Sequence, residues 1–217
     1  MERIEPQQQP DDDAMKRLNE AAAELVGRRR RQTGYPFDQG TNLSGFYRWL
    51  LETGLCDTTL ISVGSPCKEA WDMLSVDEFE RFVIDFLAKK YGFPEGSHWG
   101  FVTNGGTDGN MHGLYFGRKD LAAKCDKPPV LYVSSEAHYS VQKLGDVLDI
   151  ETRVVGALPD GRMDVDDFRN RLDGSRPALV AIAVGGTFKG AIDDQDAIDA
   201  VLREVAPPVC YRHLDAA

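Results

Sequence analysis

The chain has 217 residues, 42% of them apolar, with a formal net charge of −10 and a pI near 4.9. That length and apolar share suffice for one or two domains with real cores, while no uninterrupted apolar stretch approaches the ~20 residues of a membrane span. The acidic balance repels phosphate backbones, so neither a membrane nor a nucleic-acid partner is expected, and a polar, proline-rich amino terminus without a secretory apolar region points to the cytoplasm.

In chain order, Pro6-Gln7-Gln8-Gln9-Pro10-Asp11-Asp12-Asp13 cannot bury enough apolar surface to offset chain entropy and reads as a frayed arm. A helix is predicted over Ala14–Val26, with Asp11–Asp13 at its amino end and Arg28–Arg31 at its carboxyl end. Both charge runs complement the helix dipole, which is the reading preferred here over a nucleic-acid or membrane patch. Tyr35-Pro36 and Gly40 mark a turn, and Leu43–Leu51 a short apolar helix ending near Gly54. Ser75-Val76-Asp77-Glu78 has the spacing of a capping box. The residues Phe79, Phe82, Val83, Phe86 and Leu87 then fall on one helical face, read as core scaffold, and the helix stops near Tyr91-Gly92.

From Trp99 the signals alternate. A helix follows Thr107, then come a strand at Val130–Val133, a helix after His138 and a strand at Thr152–Val155. Next are a helix at Val165–Leu172, a strand at Ala178–Val184, a helix at Asp194–Val205 and a strand at Val209–Leu214. Strands separated by helix-length crossovers predict an α/β fold with a parallel sheet and right-handed connections. Three regions are expected: an arm and helix over 1–33, a helical segment over 34–98, and an α/β domain over 99–217.

Chemistry-bearing residues fall at the strand–helix junctions. Gly105-Gly106-Thr107 opens a helix, where free N–H groups and the positive dipole end hold a phosphate; alternatively Thr107 simply caps it. His138 sits in the loop after a strand, as either a site imidazole or a hydrogen-bonded structural residue. Lys143, five residues on, reads as helix surface. Gly185-Gly186-Thr187 follows another strand. The tip His213-Leu214-Asp215-Ala216-Ala217 places the Asp215 carboxylate at the C-terminal edge of the sheet, where open α/β folds bind ligands; a helix cap or a metal ligand with His213 are the other roles open to it. Cys56, Cys67, Cys125 and Cys210 form no C-x-x-C pair and the histidines no H-E-x-x-H, so no metal site is predicted.

Taken in order, Thr103–Asn110 (TNGGTDGN), His138–Lys143 (HYSVQK), Gly185–Asp194 (GGTFKGAIDD) and His213–Ala217 (HLDAA) closely resemble the pyridoxal-phosphate-dependent group II amino-acid decarboxylases. The histidine and serine decarboxylase branch is the nearest in wording, and the resemblance spans residues 35–217. It implies a fold-type-I pyridoxal-phosphate enzyme, with a mostly parallel sheet and helices on both faces. It also implies cofactor-binding roles for Gly105, Gly106, Thr107, His138, Thr187, Asp215 and Ala217. In that family the histidine matching His138 stacks on the pyridine ring and contacts substrate. The aspartate matching Asp215 keeps the pyridine nitrogen protonated, so that the ring accepts electrons, and Ala217 would line the opposite ring face. His138 and Asp215 are thus the catalytic candidates.

This chain departs from the pattern at Asp108, where the family has Glu, and at Gly186 and Phe188, where it has Thr and Val. The family's Schiff-base lysine lies beyond the Asp-Ala-Ala segment, past Ala217. The chain is therefore expected to be an amino-terminal part, inactive alone, of a homodimeric enzyme that decarboxylates an L-amino acid, histidine first and serine second. Other Cα chemistry such as aldehyde synthesis, a metal-dependent hydrolase built on His213 and Asp215, and a non-catalytic truncated product are the alternatives.

Overall fold

The computed structural model describes residues 11–31, 42–58, 65–67 and 75–217. Residues 6–10 of the arm, and the turn at Tyr35-Pro36 and Gly40, lie outside them. The chain forms two compact units, residues 1–62 with 72–76 and residues 63–71 with 77–217.

In the first unit, α1 (Asp12–Arg29) extends beyond the expected Ala14–Val26 at both ends because its caps lie further out. The Asp11 carboxylate accepts the Ala14 N–H at 2.6 Å, satisfying one first-turn donor, and Asp12 and Asp13 face the positive end of the dipole. Arg28 and Arg29 occupy the last turn. Helix α2 (Ser44–Thr53) ends at Gly54, whose φ of +72° is the left-handed stop that glycine takes without strain.

The second unit begins with α3 (Asp77–Lys90) and α4 (Gly106–Lys124). It continues as β1 (Val130–Ser134), α5 (Tyr139–Val147), β2 (Glu151–Val155), α6 (Val165–Arg171), β3 (Ala178–Ala183), α7 (Gln195–Val205) and β4 (Cys210–Asp215). Every element of the predicted alternation is present. The four strands are all parallel, in the order β2-β1-β3-β4. Central β1 is buried throughout and β3 nearly so, which is why both read as continuous apolar runs.

Helices cover both faces, as alternate strand residues require. Tyr132, Val180 and Ile182 point to one side and join Phe168 and Leu172 of the α6 region and Ile198, Val201 and Leu202 of α7. Leu131, Val133, Leu179 and Ala181 point to the other, against Leu114 and Leu121 of α4 and Val141 and Leu144 of α5. The chain leaves β1 toward β2 and leaves β3 toward β4, so the strand order reverses between β1 and β3. That reversal opens a crevice at the carboxyl ends of the strands. Among the described residues no helix is long and apolar enough to cross a membrane.

One expectation fails. The apolar face of α3 is not core scaffold among the described residues, since Phe79 and Phe82 are 72% and 73% exposed and Val83, Phe86 and Leu87 are exposed as well. Periodicity establishes that a helix has an apolar face but not what covers it.

Candidate functional site

The site is built where α4 crosses β4. Gly106, Asn110, Gly113 and Gly117 recur at helical spacing on one face of α4, and Tyr211, His213, Asp215 and Ala217 alternate along one face of β4 and its extension. The two rows mesh in opposite directions. A Cβ on Gly117 would stand 2.7 Å from Tyr211 Cδ1, one on Gly113 2.3 Å from His213 Nδ1, and one on Gly106 2.5 Å from the Ala217 Cβ. Only hydrogen in place of those side chains lets α4 approach so closely. The one large member of the helical row, Asn110, is opposite Asp215 and hydrogen-bonds to it.

The Asp215 carboxylate is fixed at both oxygens. Oδ2 accepts from the Asn110 amide at 2.9 Å, and Oδ1 accepts from the Ala217 N–H at 3.3 Å. A carboxylate offers about four acceptor positions, so this one keeps capacity for a further donor. Asn110 is 4% exposed, and its oxygen lies 2.8 Å from His213 Nε2. Burial pushes the His213 imidazole below its ordinary range, with the nearby Asp215 charge pulling weakly the other way. Its Nε2 is engaged by Asn110 and its Nδ1 is pressed against Gly113, which does not suit a metal ligand. Among the described residues no group of three or more His, Cys, Asp or Glu side chains is arranged to hold a metal.

At the amino end of α4, Gly105 has φ +128°, a conformation open in practice to glycine alone. The first-turn N–H groups that follow have no intrahelical acceptor and carry the positive end of a 19-residue helix. Asp108 closes the loop by accepting the Asn104 N–H at 3.1 Å, a contact its short side chain reaches within its own turn. A cavity of about 370 Å³ lies here, lined by Asn104, Gly105, Gly106, Thr107, Asp108, Met111 and Leu144. It adjoins the turn without taking in His138 or Asp215. Thr107 is exposed beside it.

His138 proves to be the amino-terminal cap of α5. Its Nδ1 accepts from the Ser140 N–H at 3.3 Å and pairs with Ser140 Oγ at 2.7 Å, leaving the ring half-buried. Ser140, fully buried, is also 3.4 Å from the Asn110 amide nitrogen. His138 and Asp215 are therefore linked through two residues that the sequence did not single out. Lys143 lies exposed on α5, as read.

Thr187 stands apart. It is exposed in the turn after β3, and among the described residues no hydrogen bond joins it to the Asn110 network. That turn is set by Gly185 (φ +108°) and by the Gly185 and Gly186 N–H groups, which share the Ala191 carbonyl at 3.1 and 2.8 Å. Lys189 reaches Glu136 in the loop after β1 at 3.1 Å, spanning the crevice mouth. Asp193, 3% exposed, accepts the Met163 and Ala183 N–H groups, both at 2.7 Å. Burial raises its pKa against the pull of those two bonds. Of the residues missed by sequence reading, Asn110 and Asp193 have partners distant in the chain, and only the glycine spacing of α4 offered a local signal.

A doubly wound parallel sheet, with a helix amino terminus and a strand-end carboxylate at the carboxyl edge of its strands, is an arrangement that fold-type-I pyridoxal-phosphate proteins share. The residues fit that cofactor: unpaired N–H donors, a Thr hydroxyl and a cavity for its phosphate, and a fixed anion for its pyridine nitrogen. Residues 75–217 match the pyridoxal-dependent decarboxylase conserved domain, and the chain belongs to that family.

The chain is 32% identical over 204 residues to serine decarboxylase 3 of Oryza sativa subsp. japonica, covering 93% of this chain and 42% of that protein. It is 34% identical over 188 residues to histidine decarboxylase of Pseudomonas entomophila, covering 85% and 44% respectively. L-Methionine decarboxylase from Streptomyces sp.590 superposes with a TM-score of 0.73 over 92% of this chain and 49% of that one; at 24% identity this shows the fold. The chain thus spans less than half the length of each of these relatives.

Proposed function

We propose that the protein is a pyridoxal-phosphate-dependent carboxy-lyase that releases carbon dioxide from an L-amino acid, acting in the cytoplasm as a homodimer. The observation that carries this reading is the Asp215 carboxylate, held at the sheet's edge by Asn110 and the Ala217 N–H with acceptor capacity to spare. When bound, the cofactor supplies a sink for the electron pair left at Cα as the carboxylate departs.

The chain's own groups divide the remaining work. The first turn of α4, with Gly105, Gly106 and Thr107, binds the phosphate through N–H and hydroxyl donors. Asp215 would hold a proton on the cofactor's pyridine nitrogen, and Asn110 keeps Asp215 oriented. His138, fixed by the first turn of α5, would contact the cofactor and the substrate, and Ala217 would leave room beside the cofactor. Thr187 would contribute a hydroxyl near the cofactor, a role that rests on its motif alone. Histidine is the first choice of substrate and serine the second, which the names of the relatives at 32–34% identity support.

The test, made on the full-length protein, is release of carbon dioxide and amine from L-histidine and L-serine with added pyridoxal phosphate. Asp215→Asn is expected to keep most of the cofactor affinity and lose turnover by orders of magnitude, while His138→Ala loses turnover far more than stability. Near-wild-type decarboxylation by Asp215→Asn overturns the assignment, and faster release from L-serine than from L-histidine reverses the substrate order.

A further inference from the structure

The side chains that touch Asp215 also lead to His138, and chemistry dictates the direction of every hydrogen between them. A carboxylate only accepts, so the Asn110 atom 2.9 Å from Asp215 Oδ2 is the amide nitrogen. The amide oxygen then faces His213, and the ring Nε2 at 2.8 Å must carry a hydrogen. The second hydrogen of the same amide nitrogen is directed to Ser140 Oγ at 3.4 Å, the longest link. Ser140 Oγ, receiving it, gives its own hydrogen to His138 Nδ1 at 2.7 Å, and the Ser140 backbone N–H points to the same atom at 3.3 Å. Nδ1 therefore takes the hydroxyl hydrogen across the short 2.7 Å contact, with the long backbone N–H only a weak second donor that cannot hold the tautomer alone, and the neutral His138 ring carries its hydrogen on Nε2.

We infer that Asn110 and Ser140 are positioning residues that couple Asp215 to His138 and fix His138 as the Nε2–H tautomer, a hydrogen-bond donor toward the substrate side. This rests on the roles proposed for His138 and Asp215; without them the network only joins α4, α5 and β4. Both residues are buried, Asn110 at 4% and Ser140 at 0% exposed, so water does not compete for their bonds. An imidazole free to exchange tautomers would present a lone pair instead of an N–H part of the time, and substrate contact would lose its defined polarity.

The chain has four histidines, at 98, 112, 138 and 213, so ring-nitrogen NMR of protein labelled with 15N-histidine is assignable by single His→Gln changes. The spectrum is recorded without cofactor, above the histidine titration range. Wild type is expected to show His138 and His213 each as a single Nε2–H tautomer. Ser140→Ala is expected to abolish the single-tautomer signature at His138 while leaving His213 unchanged, and Asn110→Ala to abolish it at both.

Where Asn110→Ala does not fold, Asp215→Asn serves: an amide at 215 can present either atom to Asn110, so the enforced direction, and with it the His213 signature, is lost. An Nδ1–H or mixed His138 in the wild type, or a His138 signature that survives Ser140→Ala, overturns the proposal. So does Asn110→Ala or Asp215→Asn leaving every ring as in the wild type. Because the spectrum needs no cofactor, a fixed tautomer in a full-length protein that releases no amine would sink the decarboxylase reading and leave the network standing.

Discussion

His213 shows at the scale of one residue how the buried network sets chemistry. Its imidazole is held below the ordinary value of 6.5 chiefly by burial, so the unfolded chain binds its proton at a higher pH than the folded one. Stability from this group is therefore present above pH 6.5 and is lost as pH falls through the folded value. Urea midpoints taken at about pH 7.5 and about pH 5.5 should drop more in the wild type than in His213→Gln; equal drops contradict a buried neutral ring. Asp193 gives a second case. Its two oxygens serve two backbone N–H groups, Met163 and Ala183, and an amide offers only one acceptor. Asp193→Asn should cost about 1–3 kcal/mol by leaving an N–H without a partner, and an unchanged unfolding midpoint would show that the clamp carries no load.

The pairing of α4 with β4 is the element on which the site depends, and its glycines are not equivalent. A Cβ at Gly113 would meet the His213 ring at 2.3 Å, whereas one at Gly109 would find its nearest neighbour, Thr103 Oγ1, at 3.5 Å. Gly113→Ala should therefore destabilise by about 1–3 kcal/mol through overpacking, and Gly109→Ala should stabilise by about 0.5–1 kcal/mol through helix propensity. The same sign for both in denaturant unfolding would refute the meshed-row geometry. Element order from α4 to β4 was legible because hydrophobic period switches between 3.6 and 2 at each junction, and the position of Asp215 was legible because it ends an apolar β-type run. Asn110 was not, because its partners lie 103 and 105 residues away and nothing local marks them. His138 illustrates a partial reading: its motif marked the residue, but its service as a cap through Nδ1 depends on the backbone turn into α5. The exposed face of α3 was misread because periodicity does not name a partner.

At the scale of the whole molecule, the strand order β2-β1-β3-β4 places the loops after β1 and β3, the end of β4 and the start of α4 at one edge of the sheet. Residues from Gly105 to Ala217, distant in the chain, meet there because the parallel crossovers reverse direction between β1 and β3. The most direct measurement is a titration with pyridoxamine 5′-phosphate, a non-covalent stand-in for the cofactor, followed by backbone amide NMR. Saturable binding that moves the Gly105, Gly106 and Thr107 amides together with Asp215, and that is weakened when the phosphate is removed from the ligand, is the expected result. Absence of saturable binding, or saturation that leaves those amides unmoved, would contradict a cofactor site at the junction of α4 and β4.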